Sequence, residues 1–181
     1  MVVILIGCSN GGKGDAVIQE TTLNDFEKNL TELYGGVSFI HDIELLNDQV
    51  DEVELFIDIY KNGEFVETVS EMTTQVTNGK FNTVFIKTNL NENEEQWVSA
   101  VMTEAGYTSV DSFIAKSEFQ SSAWGGISNE KSLKIGKKYP IATVVCSDKD
   151  SIGIIDDLST DDALKRQTDY EEVYIFSIQL K

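Results

Sequence analysis

The chain has few cysteines, few basic residues and no long apolar run, and each shortage excludes a class of protein. Its two cysteines, Cys8 and Cys146, exclude a disulfide-dense scaffold. With 14 basic and 31 acidic residues the net charge is −17. A field of that sign repels phosphate backbones, so we expect no nucleic-acid partner. No segment approaches the ~20 apolar residues that a membrane-spanning helix requires.

The N-terminal stretch MVVILIGCSNGGKGD allows interpretations that exclude each other. Gly7, Gly12 and Lys13 match a phosphate-binding loop, whose pattern requires a hydroxyl next and then a helix. Position 14 is glycine and Asp15 follows, so a P-loop-like nucleotide-binding enzyme is the weakest hypothesis. A further alternative makes the apolar run a core strand with Cys8 buried.

Leu5-Ile6-Gly7-Cys8 resembles the lipobox of bacterial lipoproteins, in which a small residue precedes the cysteine that receives the lipid. The polar, glycine-rich residues after it are typical of a flexible tether. A secretion signal needs a basic region and about 7–15 apolar residues. Here the run is short and nothing basic precedes it, so we expect the precursor to begin upstream of Met1.

Two further stretches, YKNGEFVE and GKKYPIATVVCSDKDSIG, are similar in style to surface lipoproteins of Gram-positive bacteria. The resemblance implies a lipid on Cys8 and a location on the extracytoplasmic face of the cell membrane, and it implies no activity. Residues 1–20 are then a signal-peptide remnant and tether, and residues 21–181 a single globular domain, as 181 residues with 41% apolar content indicate.

The segment TTLNDFEKNLTELYGG predicts a short amphipathic helix at about 22–34. Leu23, Phe26, Leu30 and Leu33 share one helical face. Thr22 can cap its start, and Gly35 can end it.

From Val37 onwards the pattern favours strands. Val53, Leu55, Ile57 and Ile59 alternate with acidic residues, and Asn62-Gly63 then predicts a hairpin turn with Leu55 and Ile57 buried. Five other stretches have the same character: residues 37–45, 82–89, 111–118, 139–147 and 172–180.

Residues 93–105 fit both a helix and a strand, and the neighbouring strands favour a strand. At least seven short strands and a single proline predict a mainly β protein. We expect an antiparallel β-sandwich with a short N-terminal amphipathic helix, and an α+β sheet with packed helices is the alternative.

No motif indicates an enzyme. His41 is the only histidine, so a catalytic triad or a zinc site would depend on it. It lies inside a predicted strand, where we expect a histidine on the sheet surface, and no G-x-S-x-G occurs elsewhere. Cys146 follows the apolar run IATVV, and we expect it to be an inert buried thiol.

The acidic stretch DKDSIGIIDDLSTDD partly matches a calcium loop, but its fifth and twelfth positions are Ile152 and Ser159. We expect an acidic surface loop, no cofactor, and a short helix capped by Ser159 or Thr160. An irregular calcium site stays open as an alternative, with four possible ligands: Asp148, Asp150, Asp156 and Asp157.

The segment SSAWGGIS sets Trp124 among small residues. An exposed tryptophan can anchor a partner or stack on a sugar, although we expect Trp124 to be buried at a sandwich end. The first hypothesis is therefore a non-enzymatic, membrane-anchored binding or interaction domain whose protein or small-molecule partner is unknown. The alternative is a soluble β-sandwich that binds calcium or carbohydrate.

Overall fold

The computed structural model describes residues 14–33, 36–77 and 79–181. Within these ranges the chain forms eleven strands and two helices, in the order β1 (Ala16–Glu20), α1 (Asp25–Leu33), β2 (Ser38–Leu45), β3 (Glu52–Lys61), β4 (Glu64–Gln75), β5 (Lys80–Asn89), β6 (Glu94–Thr103), β7 (Gly106–Ala115), β8 (Ser121–Gly126), β9 (Lys131–Leu133), β10 (Lys138–Ser147), α2 (Asp161–Thr168) and β11 (Glu172–Leu180).

The strands form two antiparallel sheets that pack as a β-sandwich, as the sequence predicts. Sheet A has the order β7-β6-β5-β2-β1-β9, and sheet B has the order β4-β3-β11-β10-β8. The edge strands β4 and β7 contact each other along one side of the sandwich. The other two edge strands, β8 and β9, therefore belong to the opposite side.

Aromatic rings from both sheets form the centre of the core. Trp97 of sheet A packs against Tyr174 and Phe176 of sheet B, with ring centroids 5.4 and 4.9 Å apart. Phe85 and Phe39 contact the same Phe176 ring from sheet A, each at 5.1 Å. The predicted inward face of β11, which runs from Tyr174 to Leu180 at every second residue, is buried throughout.

The outer face of sheet B is covered by the chain between β10 and β11. Val145, Val173 and Ile175 lie beneath Leu158 and neighbouring apolar side chains of this segment. Thr160 caps α2, since its hydroxyl accepts a hydrogen bond from the backbone N–H of Ala163 at 3.2 Å. The short helix expected here is confirmed.

The predicted hairpin at Asn62-Gly63 is also confirmed. These residues join β3 to β4 with φ values of 51° and 87°, which asparagine and glycine tolerate. Leu55 and Ile57 are fully buried. Residues 93–105, which fitted either a helix or a strand, contain strand β6.

The prediction of a tether through residue 20 is wrong for residues 16–20, and so is a domain start at residue 21. These residues form β1, which pairs with both β2 and β9. Ala16 and Ile18 are fully buried. Strand β1 also occupies the position at which a phosphate-binding loop at residues 7–13 would require a helix. The lipobox Leu5–Cys8 lies outside the described residues.

Helix α1 begins later than expected and leaves its apolar face open. Asn24, rather than Thr22, caps it, because its side-chain oxygen accepts from the N–H groups of Phe26 and Glu27 at 2.9 and 3.0 Å. Phe26 and Leu33 are 73% and 81% exposed. The periodicity thus predicted a helix but not its packing, and Gly35 lies outside the described residues.

Replacing Ile18 tests whether β1 is part of the core. Ile18→Ala removes a fully buried side chain, so we expect it to lower the free energy of unfolding by about 2–5 kcal/mol. Val17→Ala, on the outward side of the same strand, is the matched control and should cost about 1 kcal/mol or less. Urea denaturation measures both variants. If both variants change the free energy of unfolding equally and negligibly, residues 16–20 are part of the tether and not of the core.

Candidate functional site

A cleft of about 910 Å³ opens between the neighbouring edges of the two sheets. Ile59 and Val69 line it from sheet B, and Ile114 and Phe119 line it from the end of β7 and the chain that follows. We call it the β4–β7 cleft. Its size is typical of small-molecule sites. Charged and polar groups converge on this cleft, namely Lys61, Glu67, Lys116, Glu118, Asp148, Glu172 and Tyr174.

Tyr174 and Glu172 occupy the deep part of the cleft. The Tyr174 hydroxyl donates a hydrogen bond to Glu172 Oε1 at 2.9 Å, and Lys61 Nζ lies 3.1 Å from Glu172 Oε2. Burial raises the pKa of Tyr174, and the Glu172 carboxylate adds to this effect. Tyr174 is therefore a protonated hydrogen-bond donor at physiological pH.

A second ion pair lies further inside, between the sheets. Lys87 Nζ is 2.8 Å from Glu95 Oε1, and the two side chains are only 13% and 3% exposed. The Lys87 ammonium lies 5.6 Å from the centroid of the Trp97 ring, which itself packs on Tyr174. The two ion pairs are thus connected through a tryptophan–tyrosine contact.

Two polar atoms at the Lys87–Glu95 pair, one on Glu95 and one on the adjacent Trp97, lack hydrogen-bond partners within the described residues. Glu95 Oε2 and Trp97 Nε1 are buried and have no hydrogen-bond partner within the described residues. A buried polar atom without a partner costs about 1–3 kcal/mol. A water molecule or a ligand group that donates to Glu95 and accepts from Trp97 would remove that cost.

Cys146 borders this cluster as a buried thiol. It is free, and only 2% of its surface is exposed. Burial raises its pKa, although a hydrogen bond with Ser117 acts in the opposite direction. The thiol therefore stays protonated, and the expectation that Cys146 is buried is confirmed.

Sequence analysis missed this cluster, although each strand carries a signal for it. Lys87 continues the inward-facing row of Phe85 on β5. Glu95 precedes the buried Trp97 at the same spacing, and Glu172 precedes the buried Tyr174. A charged residue in phase with the apolar side of a strand is expensive to bury, and three such residues at strand ends mark the site.

The expectation that His41 lies on the sheet surface is wrong. It is 1% exposed, because it stands between Phe39 and Ile43 on the inward side of β2. Burial lowers its pKa from 6.5 to about 4, with Asp42 acting weakly in the opposite direction. Its Nδ1 has no hydrogen-bond partner within the described residues.

The expectation that Trp124 is buried is also wrong, since 53% of it is exposed. It pairs with the inward-facing Val144, but β8 is an edge strand of sheet B. An inward side chain on an edge strand faces the opening between the sheets, so the ring stays accessible.

The acidic loop does not assemble the four aspartates proposed for calcium. Asp148 accepts a hydrogen bond from the backbone of Gln120 at 3.2 Å, whereas Asp157 pairs with Lys131 Nζ at 2.6 Å. That pairing, together with hydrogen bonds from Ser159, lowers the pKa of Asp157 to about 2. Across the described part of the chain, no three His, Cys, Asp or Glu side chains are grouped to hold a metal ion.

These features define an antiparallel β-sandwich domain with a polar cleft at one side. A family model described as the YgaN domain matches residues 17–180, and the chain belongs to this family. The match begins at the second residue of β1 and ends with β11, so it includes the cleft and all of the sandwich strands except Ala16. No curated protein and no solved structure matches the chain.

Removing one partner of the inner ion pair should destabilise the fold strongly. Lys87→Met leaves the Glu95 carboxylate buried without a counter-charge, so we expect a loss of about 3–5 kcal/mol in chemical denaturation. Lys80→Met is the matched control, because the Lys80–Glu44 pair is 76% and 53% exposed and is worth at most about 1 kcal/mol. Equal losses would show that the inner pair is hydrated.

The buried imidazole of His41 should make stability depend on pH in a defined window. Its folded-state pKa is about 4 and the ordinary value is 6.5, so the neutral form stabilises the folded state above pH 6.5. As the pH falls from 6.5 to 4, up to about 3 kcal/mol of this contribution is lost. Denaturation at several pH values measures it. In His41→Leu, the free energy of unfolding measured relative to the variant's own value at pH 7 should not show this loss between pH 6.5 and pH 4.

Proposed function

We propose that the protein is an extracytoplasmic binding domain, attached to the outer face of the cell membrane through a lipid on Cys8 and acting without catalysis. The observation that carries the binding role is the β4–β7 cleft, in which Lys61, Glu172 and Tyr174 converge. Behind Tyr174, the buried Glu95 has an oxygen without a hydrogen-bond partner within the described residues. A large cleft with convergent polar groups is the usual form of a ligand site.

The start of the fold is compatible with an anchor at Cys8. Seven residues, 9–15, separate Cys8 from β1, and such a segment spans at most about 25 Å. A diacylglycerol supplies two acyl chains, which hold a protein stably at a membrane where one chain holds it only marginally. No helix within the described ranges has the length and apolar character needed to cross a bilayer.

Binding without catalysis agrees with the state of the ionisable groups. A general acid or base works best with a pKa near the operating pH, whereas the pKa of His41 is about 4. In the cleft, Glu172 and Lys61 neutralise each other, and further inside, between the sheets, Glu95 and Lys87 do the same. These pairs suit the recognition of a polar ligand better than proton transfer.

The anchor is tested by expressing the genomic open reading frame with its own start in a Gram-positive host. We expect the wild type in the membrane fraction, with a diacylglycerol found by mass spectrometry, and Cys8→Ser in the soluble or secreted fraction. Cys146→Ser is the matched control and should stay with the membrane, because this thiol is buried in the sandwich. Identical partitioning of wild type and Cys8→Ser, with no acyl modification, would contradict the anchor.

A further inference from the structure

A second, smaller pocket lies between the sheets on the side away from the β4–β7 cleft. It has a volume of about 160 Å³, and its lining includes Glu20, Phe39, His41, Trp124 and Gly126. We call it the seam pocket. Whole small-molecule ligands generally occupy about 300–1,000 Å³, so this pocket has room for one functional group of a ligand.

Three aromatic rings surround this space. Trp124 stands at the opening and is 53% exposed, whereas Phe39 and His41 line the interior and are 7% and 1% exposed. Gly126 keeps the space open, since a Cβ there would lie 3.7 Å from both His41 Nε2 and Phe39 Cδ1. The faces of aromatic rings, tryptophan above all, attract cations.

Two hydrogen-bond acceptors complete the pocket. Glu20 is the register partner of His41 in the β1–β2 pair, and both residues line the pocket. The imidazole is neutral at physiological pH, because burial lowers its pKa. A neutral imidazole keeps a lone pair on one nitrogen, and Nε2 is the nitrogen on the side of Gly126 in the pocket lining.

We propose that the seam pocket binds the protonated primary amino group of a small alkylamine. The cation would lie against the face of Trp124 and donate hydrogen bonds to the Glu20 carboxylate and the His41 imidazole. The net charge of −17 attracts cations and repels anionic ligands over the whole surface. This site lies apart from the β4–β7 cleft and does not depend on the function proposed for that cleft.

The test is a titration of the purified protein with butylammonium chloride at constant ionic strength, followed by tryptophan fluorescence. Trp124 is the exposed tryptophan and Trp97 is fully buried, so a saturable change reports on the seam pocket. Tetramethylammonium keeps the charge but cannot donate hydrogen bonds, and it should bind about tenfold more weakly. Methyl glucoside, which is neutral, should give no change.

Two variants test whether the fluorescence change comes from binding in the seam pocket. Glu20→Gln changes an exposed side chain and should weaken butylammonium binding about tenfold. Glu92→Gln removes the same charge in the exposed loop between β5 and β6, away from both the seam pocket and the β4–β7 cleft, and should leave binding unchanged. The proposal is overturned if both variants behave alike, if tetramethylammonium binds as tightly as butylammonium, or if methyl glucoside is the probe that binds.

Discussion

The contact of Trp97 with Tyr174 and Phe176 is the interaction on which the sandwich and its cleft depend. These rings come from different sheets and lie 4.9–5.4 Å apart, and aromatic pairs at such distances add to the free energy of burying their surface. Because Trp97 and Tyr174 each stand two residues from a glutamate on the same side of their strands, the contact also brings Glu95 and Glu172 to one end of the core. The fold and the candidate site therefore have a common origin.

The stability of the fold does not explain why the charges of Lys87 and Glu95 are buried. An ion pair taken out of water seldom stabilises a protein more than well-packed apolar side chains would. The Lys87–Glu95 pair is nevertheless largely buried, and one carboxylate oxygen has no hydrogen-bond partner in the part of the chain that the structure describes. A costly polar group behind a cleft is better explained by a ligand or water that it binds, which is why we propose a binding role for the β4–β7 cleft.

The parts of the fold that could be predicted from sequence have long, self-consistent patterns. The alternation from Val53 to Ile59 and the Asn62-Gly63 turn defined one hairpin, and the inward row of β11 defined a core strand. Strands β1, β8 and β9 have only 5, 6 and 3 residues, and they depend on pairing with distant strands that no local pattern reveals. The exposure of Trp124 and the burial of His41 depend on the same long-range pairing.

A double-mutant cycle between Lys87 and Glu95 tests the central claim most directly. If the pair is kept for binding at the cleft and not for stability, Lys87→Met combined with Glu95→Leu should recover the stability that the single Lys87→Met change removes. The free energy of unfolding of the double variant should then equal or exceed that of the wild type. A double variant that loses the sum of the two single effects would contradict the account, because the pair would then be a structural element of the sandwich.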